Sequence, residues 1–188
     1  MAEWTLHLDY ETYSEVDIRK TTTSVYTAAP STEILMLGWA YNDNAPQLWE
    51  PRLGGPPPDL VQGLHNPSVD CAAFNAPFEE GITRHKMGID IHRDRWQDTQ
   101  IKALAQGFPA KLDDVLKAIG LERKDAEGSK LISLFCSPAP KNHKASRYDW
   151  NNRPAEWARF GGYCLQDVIV ERNLDHWLEA NHPLNPPF

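Results

Sequence analysis

The run Leu6-His7-Leu8-Asp9-Tyr10-Glu11-Thr12-Tyr13-Ser14 begins as a strand and carries two carboxylates that a strand interior should reject. Leu6 and Leu8 alternate with His7, Asp9 and Glu11, so a period-two reading sets Asp9 and Glu11 on one face. At about 3.3 Å of rise per residue, their Cα atoms stand roughly 6.6 Å apart. Carboxylates at that spacing repel unless a cation lies between them, and a hard divalent ion taking oxygen ligands at about 2.0 to 2.1 Å meets that need. The competing reading is a solvated strand face. Two further acidic positions bear on the choice. Asn75-Ala76-Pro77-Phe78-Glu79 follows a strand and starts a helix, which lets Phe78 anchor in the core while Glu79 projects over the strand end. Tyr163 and Asp167 are four residues apart in a helical stretch and so share a face.

The elements that must position these groups are legible in outline. Strands are expected at Glu3 to Tyr10, Glu33 to Tyr41 and Gln47 to Glu50, the last two separated by the turn-rich Asn42-Asp43-Asn44-Ala45-Pro46, as in an antiparallel meander. Gly54 to Asp59 breaks the pattern, and a short helix around Leu60 to Leu64 follows. A small-residue strand, Val69 to Phe74, runs into a helix for which Asn75 is a suitable N-cap, Pro77 a tolerated first-turn residue and Gly88 a stop. Asp98-Thr99 reads as a helix cap, with a supporting place near the acidic groups as the alternative. Helices are expected over Thr99 to Gln106 and Leu112 to Ile119, ended by Gly120, with a short one in Ala126 to Cys136. A polar loop then leads to Pro154 and a long final helix reaching about Ala180, whose buried side carries Phe160, Cys164, Val168 and Leu174. Gly161-Gly162 inside it costs about 1 kcal/mol each relative to Ala and points either to a close approach or to a kink. A meander followed by strands interleaved with helices predicts an α/β domain with a mixed sheet.

Composition narrows the function classes. With 188 residues, of which 41% are hydrophobic, the chain can bury one full core. No apolar run is long enough to span a bilayer, and the first residues lack a signal core, so a soluble cytoplasmic protein that works away from membranes is expected. Cys71, Cys136 and Cys164 are an odd number without a close pair, which argues against disulfides and zinc and reads them as small buried hydrophobes. His85 and His92 lack partners at zinc-ligand spacing and read as surface histidines. A formal charge of −7 opposes broad wrapping of duplex DNA but not a grip on a short single strand. The cluster Lys141, His143, Lys144 and Arg147 reads either as a solvated loop or as a clamp on such a strand.

In order, Asp-x-Glu in the first strand, Asn-x-x-Phe-acid at a helix start and Tyr-x-x-x-Asp in the last helix resemble the three motifs of the DEDD 3′-to-5′ exonuclease superfamily. The resemblance is to its tyrosine-bearing branch, because Tyr163 lies four residues before Asp167, whereas the other branch has a histidine where this chain has Gly162. The wider context, LDYETYS with EILMLGWAY, FNAPFE and YCLQDVIVER, looks most like the proofreading exonuclease domain of phage-type family A DNA polymerases. The resemblance implies an RNase H-like fold, a mixed five-stranded sheet flanked by helices, occupying residues 1 to 188 as a single domain with 182 to 188 as a tail or linker. It implies metal-dependent hydrolysis of single-stranded DNA from the 3′ end to nucleoside monophosphates, in a bacterial cell or encoded by a phage, beside a DNA polymerase domain or subunit. Two divalent cations, Mg2+ or Mn2+, would be held by Asp9, Glu11, Glu79 and Asp167, and Tyr163 would hydrogen-bond the attacking water. Thr12, Phe78 and Asn75 would meet the terminal nucleotide, although capping alone suffices to explain Asn75, and Lys141 and Lys144 would hold the strand. Most of the superfamily has Asp where this chain has Glu79, whose extra methylene lengthens its reach. Competing functions are a short-RNA exonuclease and a non-catalytic module that binds nucleic acid or a polymerase.

Overall fold

A computed structural model describes residues 4–121, 128–140 and 146–181. Five strands form a mixed sheet in the order β3-β2-β1-β4-β5. Strand β1, Trp4–Tyr13, is central, antiparallel to β2, Glu33–Tyr41, and parallel to β4, Val69–Ala73. Strand β3, Gln47–Trp49, completes the expected meander on one edge. The other edge is β5, Trp96–Asp98, parallel to β4. Sequence reading takes β5 only as a lead into a helix, because three residues are too few to show a period. Strand β1 also runs past Tyr10 to Tyr13, with a register shift against β2 between Glu11 and Thr12. Such a shift bends a strand and re-aims its side chains.

One sheet face carries Leu6, Leu8 and Tyr10 with Leu37 and Trp39, packed with Leu60 and Leu64 of α2, Pro58–His65, and with Ile82 of α3, Ala76–Ile82. Helix α3 continues into a π-helical turn, Thr83–Met87, that ends on Gly88 at φ 71°. The short helix α1, Thr23–Ala28, lies against α3 and is capped by Thr22, whose side chain accepts from the Val25 N–H. Sequence reading misses α1, since six residues rich in Thr give no apolar period.

The opposite face is covered by α7, Pro154–Asn181, the expected long final helix. Phe160 and Cys164 of α7 cluster with Met36 of β2 and with Leu131 and Phe135 of α6, Gly128–Phe135. Farther along α7, Val170, Leu174 and Leu178 pack with α4, Thr99–Ala105, and α5, Leu112–Ile119. The helices therefore flank the sheet on both sides, as the resemblance implies. Among the described residues, no helix is long and apolar enough to cross a membrane.

Candidate active site

The β1 face that carries His7, Asp9 and Glu11 points at α7 and is not solvated: Glu11 is buried, and Asp9 is only partly exposed. Gly38 permits this. It is the cross-strand partner of Asp9, and a Cβ there would lie 2.9 Å from the Cys164 carbonyl oxygen and 2.9 Å from Val168 Cγ2. The missing side chain lets the α7 backbone approach the sheet beside Asp9. Asp167, one turn beyond Cys164, thereby joins the strand carboxylates. One ligand oxygen from each of Asp9, Glu11 and Asp167 lies within 4.8 Å of the others. Gly38 is the residue that sequence reading passes over, although a lone glycine in an otherwise bulky apolar strand signals such an approach.

The surroundings register a strongly negative site. Burial, and then the Asp9 and Glu11 carboxylates, push the Cys164 thiol well up. Cys136 is raised by burial and next by Glu11, whose Oε2 lies 3.8 Å from its sulfur. The Tyr163 phenol is raised by burial and then by Asp167, to which its hydroxyl hydrogen-bonds, so it stays protonated across the physiological range. Its ring lies over Gly128, where a Cβ would stand 1.9 Å from ring carbon Cε2. The glycine at the start of α6 thus makes room for the tyrosine.

Glu79 is buried in the first turn of α3, and its Oε2 has no hydrogen-bond partner. Burial, reinforced by Asp9, pushes its carboxyl well above the ordinary range. It is not one of the three acids gathered within 4.8 Å, but it shares the electrostatic field of Asp9. An unsatisfied buried carboxylate oxygen facing the field of other acids fits a site built for a hard cation with oxygen ligands.

Beside the acids opens a cavity of about 670 Å³, lined in part by Glu11, Thr12, Tyr26, Phe78, Ile132 and Cys136. The Thr12 hydroxyl is tied to the Tyr26 hydroxyl at 2.9 Å, and the Tyr26 ring lies 5.8 Å from that of Phe78. Phe78 is thus half in the core and half in the cavity wall. Tyr26 and Cys136 are lining residues that sequence reading does not pick out. The first belongs to the missed helix α1, and the second, read as a buried hydrophobe, is only partly buried.

Asn75 is not the N-cap expected of it. It adopts the left-handed conformation, φ 72° and ψ 52°, and makes no side-chain cap. The chain must turn sharply out of β4 at this point, and Asn tolerates that conformation better than most residues. Its backbone N–H donates to Asp98 Oδ1 at 3.2 Å, while Asp98 also caps α4 by accepting from the Gln100 and Ile101 N–H groups. The capping explanation for Asn75 therefore falls, and that for Asp98 holds. His85 and His92 are exposed, as expected. Gly161 is close only to Leu48 Cδ2, at 2.8 Å from an added Cβ, and nothing lies near Gly162. Lys141, His143 and Lys144 lie outside the described residues, whereas Arg147 pairs with Glu33 and covers the Tyr13 ring at 4.0 Å.

Comparison with known proteins agrees with this fold. No family model matches the chain. The DNA polymerase of Bacillus phage SP02 is 33% identical over 185 residues, which are 96% of this chain and 28% of the polymerase. The chain thus spans between a quarter and a third of that relative's length. Among solved structures, Brucella melitensis NrnC superposes with a TM-score of 0.56 at 16% identity, over 94% of this chain and 72% of that one. The same protein with bound Mg2+ gives 0.55 over the same shares, again at 16% identity. Escherichia coli RNase D, an exoribonuclease involved in structured RNA processing, gives 0.52 at 16% identity, over 94% of this chain and 41% of that one. The fold is therefore one that nucleases use, and the resemblance drawn from the motifs is borne out.

Proposed function

We propose, from the premise that nearly the whole chain is related to a stretch of a phage DNA polymerase, that it is a metal-dependent 3′-to-5′ exonuclease. Its substrate is the 3′ end of single-stranded DNA, and its role is proofreading beside a DNA polymerase domain or subunit. The observation that carries the reading is the convergence of Asp9, Glu11 and Asp167 within 4.8 Å, with Glu11 also lining an open cavity. A single domain over residues 1 to 188, ending in a tail at 182 to 188, is part of the proposal.

Asp9, Glu11 and Asp167, with Glu79 beside Asp9, would hold the divalent ions, and the cluster is rich enough in oxygen for two. When bound, such ions supply charge neutralisation at the scissile phosphate and a lowered pKa for water. Tyr163 keeps its proton and shares it with Asp167, so it is no base; with Asp167 turned to a cation, the freed hydroxyl would donate to the attacking water and orient it. The terminal nucleotide fits the cavity beside Glu11 and Thr12, with Phe78 and Tyr26 as its aromatic wall. In this pose Asn75, released from capping, stands at the strand exit from β4, and Lys141 and Lys144 remain candidates for holding the strand.

The test is incubation of 5′-labelled DNA and RNA oligonucleotides with Mg2+, Mn2+ or EDTA. Stepwise shortening of single-stranded DNA from the 3′ end, lost in EDTA, is expected. Faster shortening of RNA would assign the site to short RNA. Absence of products with either metal, from a protein that still binds the oligonucleotide, would make it a non-catalytic binding module.

A further inference from the structure

Asp98 ends β5 and is the N-cap of α4. Its Oδ1 accepts the Gln100 N–H at 2.9 Å and the Ile101 N–H at 3.2 Å, which is all that a helix start requires of it. The same oxygen also accepts the Asn75 N–H at 3.2 Å, 23 residues back along the chain. Strands β4 and β5 are parallel neighbours with Ala73 opposite Asp98, so a side chain at the end of one strand reaches the turn that leaves the other. That turn is the left-handed one at Asn75, φ 72°, whose carbonyl accepts the Phe78 N–H at 3.0 Å and opens α3. A residue other than glycine keeps such a conformation only where its surroundings hold it. The Asn75 side chain makes no cap bond, and the tie across the sheet comes from Asp98. Glu79 follows in the first turn of α3 and, after burial and Asp9, feels the Asp98 charge as well. Next to Asp98, the Thr99 hydroxyl donates to Glu171 Oε1 at 2.5 Å, one turn along α7 from Asp167. Adjacent residues at the end of β5 therefore grip both helices that bring acids to β1.

We propose that Asp98 is a positioning residue of the active site: by holding the Asn75 N–H it fixes the left-handed turn, and thereby the place of the Glu79 carboxylate beside Asp9. The proposal rests on the exonuclease reading for what Glu79 does there. In this role Asp98 meets neither cation nor substrate and acts through the backbone of residues 75 to 79.

The test separates the cap from the tie. Asp98→Ser keeps an N-cap oxygen of equal quality, but that oxygen sits one bond nearer its own backbone and falls short of Asn75, whereas Asp98→Asn keeps an oxygen at the original reach. Both variants should melt within about 2 °C of wild type in EDTA. Asp98→Ser should nonetheless lower turnover on single-stranded DNA in Mg2+ by about tenfold, and weaken Mn2+ binding, read by titration calorimetry, by about as much. Asp98→Asn should stay within about threefold of wild type in both. Placed beside Glu79→Gln, Asp98→Ser should cost less than about twofold more, because both changes disable the same carboxylate. Wild-type turnover and Mn2+ affinity in Asp98→Ser, failure of Asp98→Asn to restore them, or a loss that persists in full beside Glu79→Gln would overturn the proposal. So would an early melt of Asp98→Ser in EDTA, which would make the tie a matter of stability alone. Failure of the exonuclease reading has a separate signature: the wild-type protein would hydrolyse neither DNA nor RNA with either metal, while the Mn2+ titrations of wild type and Asp98→Ser still decide whether Asp98 acts on the site.

Discussion

The interface between β1 and α7 has two ends, built from the same spacing and treated in opposite ways. On α7, Tyr163, Asp167, Glu171 and Asp175 follow one another at intervals of four and form a single stripe. On β1, His7, Asp9 and Glu11 form the row that meets it. At the far end every acid is answered by a donor from the protein. His7 Nδ1 lies 2.8 Å from Glu171 Oε2, the Thr99 hydroxyl donates to Glu171 Oε1 at 2.5 Å, and Lys102 Nζ donates to Asp175 Oδ1 at 2.6 Å and to Glu179 at 3.0 Å. At the near end the donors named are neutral, the Tyr163 hydroxyl on Asp167 and the Cys136 thiol 3.8 Å from Glu11 Oε2, while Asp9, Glu11 and Asp167 crowd together and Glu79 Oε2 has no hydrogen bond. The far end uses its charges to hold the helix in register. The near end concentrates negative potential in reach of a cavity, an arrangement that repels itself until a cation from outside enters.

Substitution at each end should therefore give opposite signatures. Asp9→Ala or Asp167→Ala should lower hydrolysis on the order of a thousandfold or more, while leaving the melting temperature in EDTA unchanged or raised, since repulsion is relieved. Wild-type turnover in a folded variant would break the comparison. Glu171→Ala, at the far end, should instead cost about 3 to 5 kcal/mol by stranding His7 and Thr99, a fall in melting temperature of about 10 °C or more. A melt within a degree or two of wild type would mean the far network stabilises nothing.

Glu79 sharpens the boundary between the two ends. Glu79→Gln should cut activity on the order of a hundredfold, with partial recovery in Mn2+. Its burial raises the folded-state pKa above the ordinary 4.5, so folding favours the protonated form. The metal-free wild type should consequently lose stability as pH rises from about 4.5 toward that raised value. Glu79→Gln cannot ionise, so its advantage in EDTA should vanish below that range and grow above it, as read by chemical denaturation across pH. A difference independent of pH would make Glu79 a surface-like residue at the helix start. The smallest effect is expected for Tyr163→Phe, a fall of about tenfold in turnover with little change in apparent substrate binding, measured by steady-state kinetics.

The candidate acids are legible in the amino-acid sequence, because Asp9 and Glu11 sit at strand period, Tyr163 and Asp167 at helix period, and Glu79 at a helix start after a strand. Those are local relations that the backbone geometry of one element imposes on its own residues. The long helix from Pro154 and the stop at Gly120 are legible for the same reason. What lies between elements is not. Asn75 has the right chemistry for a cap, yet the path from β4 into α3 demands a left-handed residue, and the cap is lost. Strand β5 and helix α1 are too short to carry a period, and they persist because β4 and α3 hold them. Only the tertiary structure decided that the Asp9 face would be roofed by α7 and not by water. The absence of a Cβ at Gly38 sets how near that helix comes, and nearness across the chain is a property of packing that spacing along one segment cannot encode.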